Sequence, residues 1–466
     1  MPEPVFAGLS RDIFDSHNPS PYADGAIKGV SEELIRRISA DKNEPAWMLE
    51  HRLLSYRIFL EKPVPAWGAD LSKLDLDNII YYARSGATET DDWKEVPEDI
   101  RKVYDRLGIP EAERRMLAGV GAQYESEMVY HKLKEKWEKL GVVFLDMDRA
   151  VHEYPDLVRQ HFMKCVPATD HKFAALHGAV WSGGTFLYVP KGVTVEEPLQ
   201  AYFRMNAKNM GQFEHTLIIV EEGATVHYIE GCSAPKYGSQ GLHAGLVEIF
   251  VKEGAKARYS SVENWSRDTY NLNTKRAIIQ KDAVMEWVGG NMGSGTTMLY
   301  PCSMLVGEGA RCDHLAIAFA NAGQWQDTGA KVFHQAPHTS SNVISKSISK
   351  GGGVAIYRGM LSVAAHAHDC TAHVECDALL LDELSRTDTI PTIKIRNNDV
   401  TIAHEATVGK LSDDDIFYLA SRGIAEEEAK AMIVNGFLEP IVRNLPLEYA
   451  VEMNRLIELE MEGSVG

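Results

Sequence analysis

Val220-Glu221-Glu222-Gly223-Ala224 is followed by Val251-Lys252-Glu253-Gly254-Ala255, then Gln280-Lys281-Asp282-Ala283, then Val306-Gly307-Glu308-Gly309-Ala310. The turn glycine or aspartate falls at 223, 254, 282 and 309, so the gaps are 31, 28 and 27 residues. Each copy reads as strand, tight turn, strand. A period near thirty with no intervening helix predicts a β-solenoid, in which each coil buries its inner face only against its neighbours. The competing reading is a β-sandwich with coincidental turns. The solenoid is favoured because these strands lack the clean in/out alternation of sandwich strands. Thr216-Leu217-Ile218-Ile219-Val220 is apolar on both faces, which predicts a strand covered on both sides.

On either side the texture becomes helical. Leu49, Leu53, Tyr56 and Leu60 step along one helix face, which Pro63 and Pro65 bring to an end. Ser85 to Thr90 is small and polar and reads as a loop. The Glu- and Lys-rich run from Ala122 to Leu140 predicts a second helix, capped by Gly141. Beyond Glu405, Ser412 followed by Asp413, Asp414 and Asp415 predicts a capped helix that Gly423 ends. Glu426 to Asn435 predicts another, and Ala450, Met453, Ile457 and Met461 a last one. These helices are expected to cap the open coil or to form a docking surface. The expected division is a helical region at 1–141, a β-helix at 142–404 and a second helical region at 405–466.

The chain of 466 residues is 45% apolar and carries a formal charge of -18, which argues against nucleic-acid or anionic-membrane partners. The polar start Met1-Pro2-Glu3-Pro4 does not read as a signal peptide, and no apolar run approaches the roughly 20 residues a membrane span needs. A cytoplasmic protein is expected, with its six cysteines as thiols. No phosphate loop, nucleophile elbow or dinucleotide fingerprint is present, so ATP hydrolysis is expected to lie with another protein.

Chemistry concentrates between residues 353 and 405, in Ala364-Ala365-His366-Ala367-His368-Asp369-Cys370, His373-Val374-Glu375-Cys376-Asp377 and Ala403-His404-Glu405-Ala406-Thr407. Thiolate, imidazole and carboxylate are the ligands of borderline metals and of iron–sulfur chemistry. There is no C-x-x-C pair, so spacing alone is a weak signal. If extended, the segment would place His366, His368 and Cys370 on one side.

Tyr228-Ile229-Glu230-Gly231-Cys232-Ser233-Ala234-Pro235, Val262-Glu263-Asn264-Trp265, Tyr357-Arg358-Gly359, Cys376-Asp377-Ala378-Leu379-Leu380, His404-Glu405-Ala406-Thr407, Ser421-Arg422-Gly423-Ile424 and the terminal Glu462-Gly463-Ser464-Val465-Gly466 together carry a specific likeness. The chain resembles the SufB branch of the SufB/SufD family, scaffolds of the SUF iron–sulfur cluster assembly system. The resemblance implies a right-handed parallel β-helix flanked by helical domains. It implies a non-enzymatic scaffold that works with the ATPase SufC and with SufD, or with a second SufB where SufD is absent, and that receives sulfur from a cysteine desulfurase system. By the resemblance Cys232 accepts the sulfur, and Arg204, Asn206, Glu263, Trp265 and Lys281 line its route. Cys376 with His404 and Glu405 then holds the transient iron–sulfur cluster. Glu263 stands where glutamine is expected in the best-known members, and its carboxylate would repel anionic sulfur unless Lys281 or Arg204 neutralises it. Family members are also associated with reduced flavin, for which no motif is visible.

Simpler readings stand beside these roles. Cys376 could be a packed strand cysteine whose neighbours Glu375 and Asp377 raise its pKa. Cys232, after Gly231 and before Pro235, reads as an accessible loop thiol at a coil edge. His404 and Glu405 face opposite ways if extended, and both reach one site only if the chain turns there; a helix cap is the plain reading of Glu405. His366 and His368 are expected as an exterior polar ladder, His373 and Cys370 stay undecided, and Cys165, Cys302 and Cys312 read as bystanders. Outside the family, the alternatives are a β-helix carbohydrate-active enzyme working through paired carboxylates and a purely structural solenoid.

Overall fold

The computed structural model describes residues 26–443 except 85, 88, 99 and 103–116, together with Ile457 and Met461. Its body is a parallel β-helix of about 8 turns, preceded by helices. One wall is a ten-strand sheet that begins at the antiparallel hairpin Gly119–Tyr124 and Glu127–Leu133. It continues in parallel through Leu199–Arg204, Thr225–Ser233, Lys256–Asn264, Val284–Asn291, Arg311–Ala320, Ser340–Ser349, Cys370–Leu380 and Val400–Lys410. The other wall is a fourteen-strand sheet of shorter segments, likewise parallel apart from its first pair, Val143–Asp146 with Thr185–Val189.

The repeat has a physical basis at each of its positions. Gly223, Gly254, Asp282 and Gly309 all have positive φ, between 53° and 71°. That left-handed conformation is nearly free for glycine and tolerable for aspartate. Each of the four donates its backbone N–H to a carbonyl of the next coil, at Glu253, Lys281, Glu308 and Pro337. The column extends beyond the motif, to Gly192 before it and to His338 and Asp369 after it. Ahead of the turn, Val220, Val251, Ile279 and Leu305 stack in register inside the coil. Behind it, Ala224, Ala255, Ala283 and Ala310 are all buried. The fourth copy is one residue longer: Leu305, not Val306, occupies the stacked position. The added length lays Gly307 against the previous turn, where a Cβ would come 1.9 Å from the Lys281 nitrogen.

His215–Val220 is buried along its whole length, as its apolar run predicts. Ile218 and Val220 face the coil interior. Leu217 and Ile219 face a second core formed with helices Glu32–Asp41, Ala46–Glu61, Met147–Glu153, Pro155–His161 and Lys172–Val180.

The helix expected from Ala122 to Leu140 is not formed. That stretch holds most of the opening hairpin, which turns at Glu125 with φ 56°, and only Glu135–Glu138 is helical. Val120, Ala122, Val129 and Tyr130 pack with Val96, Ile100 and Tyr202, so the hairpin is covered on both faces and shows no strand alternation. At the other end, the helix begun at Glu426 runs on to Val442. It does not close the open coil. Val434, Leu438 and Val442, with Ile457 and Met461, lie along the outer face of the ten-strand sheet, on Ile229, Val262, Ile317 and Leu379. The last predicted helix lies outside the described residues apart from Ile457 and Met461, and the loop at 85–90 does so in part.

Candidate functional site

Inside the coil, the residues of the ten-strand sheet that face the core form columns set by the parallel register. Cys232 is level with Glu263, Asn291, Ala318, Ser347 and Ala378 on successive coils. Cys376 belongs to the column two residues along, with Glu230, Ser261, Gly289, Ala316 and Ser345. The two thiols therefore face one interior from neighbouring columns. They are five strands apart, roughly 24 Å at the usual strand spacing.

Cys376 lies on Cys370–Leu380 and is 4% exposed. Its Sγ is 3.5 Å from His404 Nε2 and donates to the Glu405 carbonyl at 3.4 Å. Burial pushes the thiol above its ordinary pKa; a hydrogen bond with Thr389 opposes this, and Asp377 and Glu375 add to it. Val400–Lys410 is continuous strand, so the chain does not turn at His404 and Glu405. The Glu405 carboxylate leaves the strand on the outer side, level with Glu375. Glu405 is also not a helix cap: the next helix starts at Asp413, and the Ser412 side chain caps it.

Cys232 is not in a loop. It sits near the end of Thr225–Ser233 and is 1% exposed. Gly231 before it serves packing rather than a turn, since a Cβ there would meet the Tyr202 ring at 2.5 Å. Burial raises the Cys232 thiol well above its usual pKa, and Glu230, Glu263 and Glu214 reinforce this against Lys275. Its Sγ lies 3.9 Å from Glu230 Oε1.

Arg204 and Asn206 on one coil, and Glu263 and Trp265 two coils further on, are all buried at the same corner, where Arg204 is level with Ser233 of the coil between and with Asn264. Arg204 donates to Ser233 Oγ at 2.9 Å, and the Trp265 ring packs 4.4 Å from His243. Lys281 stands apart. It is in the exposed turn, and its nearest carboxylate is Glu253 at 3.5 Å.

The cation that meets Glu263 is Lys275, which the sequence reading missed. Its Nζ is 2.6 Å from Glu263 Oε1, 3.6 Å from Glu230 Oε1 and 3.1 Å from Ser261 Oγ, all buried. Burial alone would raise the Glu263 carboxyl; Lys275 and His243 outweigh it and hold it below the usual range. Strand alternation carried a signal, because Lys275 shares parity with the inward Ala277 and Ile279 of Thr274–Ile279.

Of the remaining candidates, His366, His368, His373, Cys165 and Cys302 lie outside this interior, whereas Cys312 packs within it. Residues 364–369 form a turn, not a strand, and leave His366 and His368 exposed. Cys370 is buried beside Val363 and Ala367, 3.1 Å from Thr339 Oγ1. His373 pairs loosely with Glu375 at 3.8 Å. Cys165, Cys302 and Cys312 are buried. Among the described residues, no three His, Cys, Asp or Glu side chains converge as a metal site.

Residues 115–201 match the family model described as SufBD protein N-terminal region, and residues 203–437 match SUF system FeS cluster assembly, SufBD core domain. The chain belongs to the SufB/SufD family of iron–sulfur cluster assembly proteins. It is 54% identical over 439 residues, 94% of each chain, to the iron-sulfur cluster assembly protein SufB of Bacillus subtilis. Iron-sulfur cluster assembly SufBD family proteins from two Staphylococcus aureus strains are 53% identical over the same length and coverage. Membership in this family fits a core built as a parallel β-helix. No helix among the described residues is long and apolar enough to cross a membrane.

Proposed function

We propose that this chain is the scaffold on which an iron–sulfur cluster is built, with Cys376 and His404 as the first pair of groups to take iron. The observation that carries this reading is the 3.5 Å contact between thiol and imidazole, facing the interior in the last two strands of the ten-strand sheet. A thiolate and a neutral imidazole suit ferrous iron, and iron binding would displace the proton that burial holds on the sulfur. Two groups leave coordination positions for sulfide and for side chains of a second subunit. Glu405, on the outer side of the same strand, would reach such a site only across that subunit contact.

Cys232 is the proposed sulfur acceptor. Its buried, protonated thiol needs a base at the moment of exchange, because the thiolate is the attacking species. Glu230, itself raised in pKa by burial and lying 3.9 Å away, can take the proton. From there sulfur, released as sulfide when a two-electron reductant brought by a partner cleaves the Cys232 persulfide S–S bond and restores the thiol, would follow the interior past Glu263 and Lys275. A cavity of about 50 Å³ is lined by Glu263, Lys275, Asn291, Ser345 and Tyr357. A second, of about 20 Å³, shares Tyr357 and reaches His404. Lys275 supplies the positive charge that an anionic sulfur species needs beside Glu263; Lys281 takes no part in this route.

The partners proposed are a SufC-type ATPase, SufD or a second copy of this chain, and a desulfurase system as donor, all in the cytoplasm. The open end of the coil supports the second subunit. Among the described residues, Val400–Lys410 and Arg386–Ile395 are edge strands with no further strand paired to them, and Ile390, Ile393, Ile395 and Val408 are exposed. Helix Asp413–Ser421 buries none of its residues and exposes Phe417 and Tyr418, which suits ATPase docking. Anaerobic reconstitution with ferrous iron and sulfide tests the scaffold role. The native chain should develop a brown chromophore that Cys376→Ala lacks; equal spectra would overturn the assignment.

A further inference from the structure

A third cavity, of about 420 Å³, opens outside the coil between the segment Lys62–Trp67 and the fourteen-strand sheet. That volume is in the range of small-molecule sites. Its walls are mostly apolar, yet they bring together Lys62, Lys172, Arg276 and Lys331 against one carboxylate, Asp170. In a chain of formal charge -18, this is a local reversal of sign.

The cations differ in how they are satisfied. Lys172 donates to the carbonyls of Phe59 and Lys62, which fixes the wall at the end of helix Ala46–Glu61. Arg276 reaches Asp170 at 2.7 Å and the Cys165 carbonyl at 3.0 Å, but its buried Nε has no partner. The Lys331 ammonium lies over the rings of Trp67 and Tyr300, at 5.4 and 5.0 Å. Those rings hold the cation but supply no counter-charge, and no carboxylate pairs with Lys331 among the described residues. Burial lowers its pKa, as expected for an ammonium lacking an anion. The fourth feature is Asn273, 4% exposed on the cavity wall, with neither side-chain nitrogen nor oxygen hydrogen-bonded. A buried amide without partners is costly unless something enters to meet it.

We infer that this cavity binds a small organic anion with a flat apolar body. The charged group lies between Lys331 and Arg276 Nε, a polar edge meets Asn273, and the body rests on Trp67, Leu272 and Met298. The site is on the far side of the fourteen-strand sheet from the thiol pair and stands independently of the scaffold reading.

Calorimetric titration of the full chain with naphthalene-1-sulfonate, and with the uncharged naphthalene-1-methanol, tests it. Saturable binding of one sulfonate per chain is expected, about tenfold tighter than the alcohol and weakened at high salt. Lys331→Met and Arg276→Gln should each weaken the sulfonate and leave the alcohol unchanged. The salt dependence and the sulfonate-to-alcohol ratio are read on the native chain, so they decide the matter even if a variant fails to fold. No saturable binding, equal affinity for both probes, or sulfonate binding indifferent to salt and to both substitutions would overturn the inference.

Discussion

The Cys376 sulfur sits 3.5 Å from the His404 ring and 3.4 Å from the Glu405 carbonyl, while the Glu405 carboxylate leaves on the opposite side of the strand. Two adjacent residues that look equivalent as ligands are thereby made unequal. In the isolated chain, His404→Ala should weaken ferrous iron binding by about tenfold, and Glu405→Ala should change it little. An anaerobic iron titration with a competing chelator reads both. Equal losses would mean that the end of the sheet rearranges around the metal.

The buried Lys275 answers two carboxylates, Glu263 at 2.6 Å and Glu230 at 3.6 Å. Removing one partner of such a pair typically costs about 3–5 kcal/mol, because the other is left charged and buried. Lys275→Met should lose stability on that scale in urea unfolding, and adding Glu263→Gln should recover much of it. Strictly additive losses would show that the two do not interact.

His314 is buried in the interior, its Nε2 2.9 Å from Ser303 Oγ, and burial pushes its pKa down to about 3. The unfolded chain takes up this proton below about pH 6.5, and the folded chain does not until about pH 3. Stability therefore falls as pH drops from 6.5 towards 3, by up to about 1.4 kcal/mol per pH unit from this one group. Urea midpoints against pH should fall less steeply for His314→Asn. An unchanged slope would show the ring already charged in the fold.

Gly307 and Gly254 occupy turns of the same column two coils apart, for different reasons. A Cβ at Gly307 meets backbone atoms of Lys281 and Gln280 at 1.9 and 2.3 Å, while one at Gly254 meets nothing but must accept φ +64°. Gly254→Ala should cost about 1–2 kcal/mol of conformational strain. Gly307→Ala should cost more, since the coils themselves must part. Thermal unfolding compares them, and the reverse order would contradict the packing described.

What could be read in advance follows from which forces are local. The turn column was legible at Gly223, Gly254, Asp282 and Gly309 because the left-handed conformation favours glycine and small polar residues; His338 in the same column carries no such mark. The solenoid followed from their spacing. The opening hairpin was not legible: its turn is Glu125-Ser126 rather than a glycine pair, and partners distant in sequence cover both its faces. Cys232 was misplaced for a related reason, since Gly231 answers to the Tyr202 ring on the neighbouring coil and not to a turn. Lys275 shows the same limit, because its meaning lies in Glu263 and Glu230 on other strands. The exposure of His366 and His368 depends on residues 364–369 forming a turn, which their composition does not announce.

X-ray absorption at the iron edge, on the chain loaded anaerobically with one ferrous ion, tests the central claim most directly. A mixed sulfur and nitrogen first shell is expected, with imidazole scattering that disappears in His404→Ala and sulfur scattering that disappears in Cys376→Ala. Identical spectra from the native chain and both variants would contradict it.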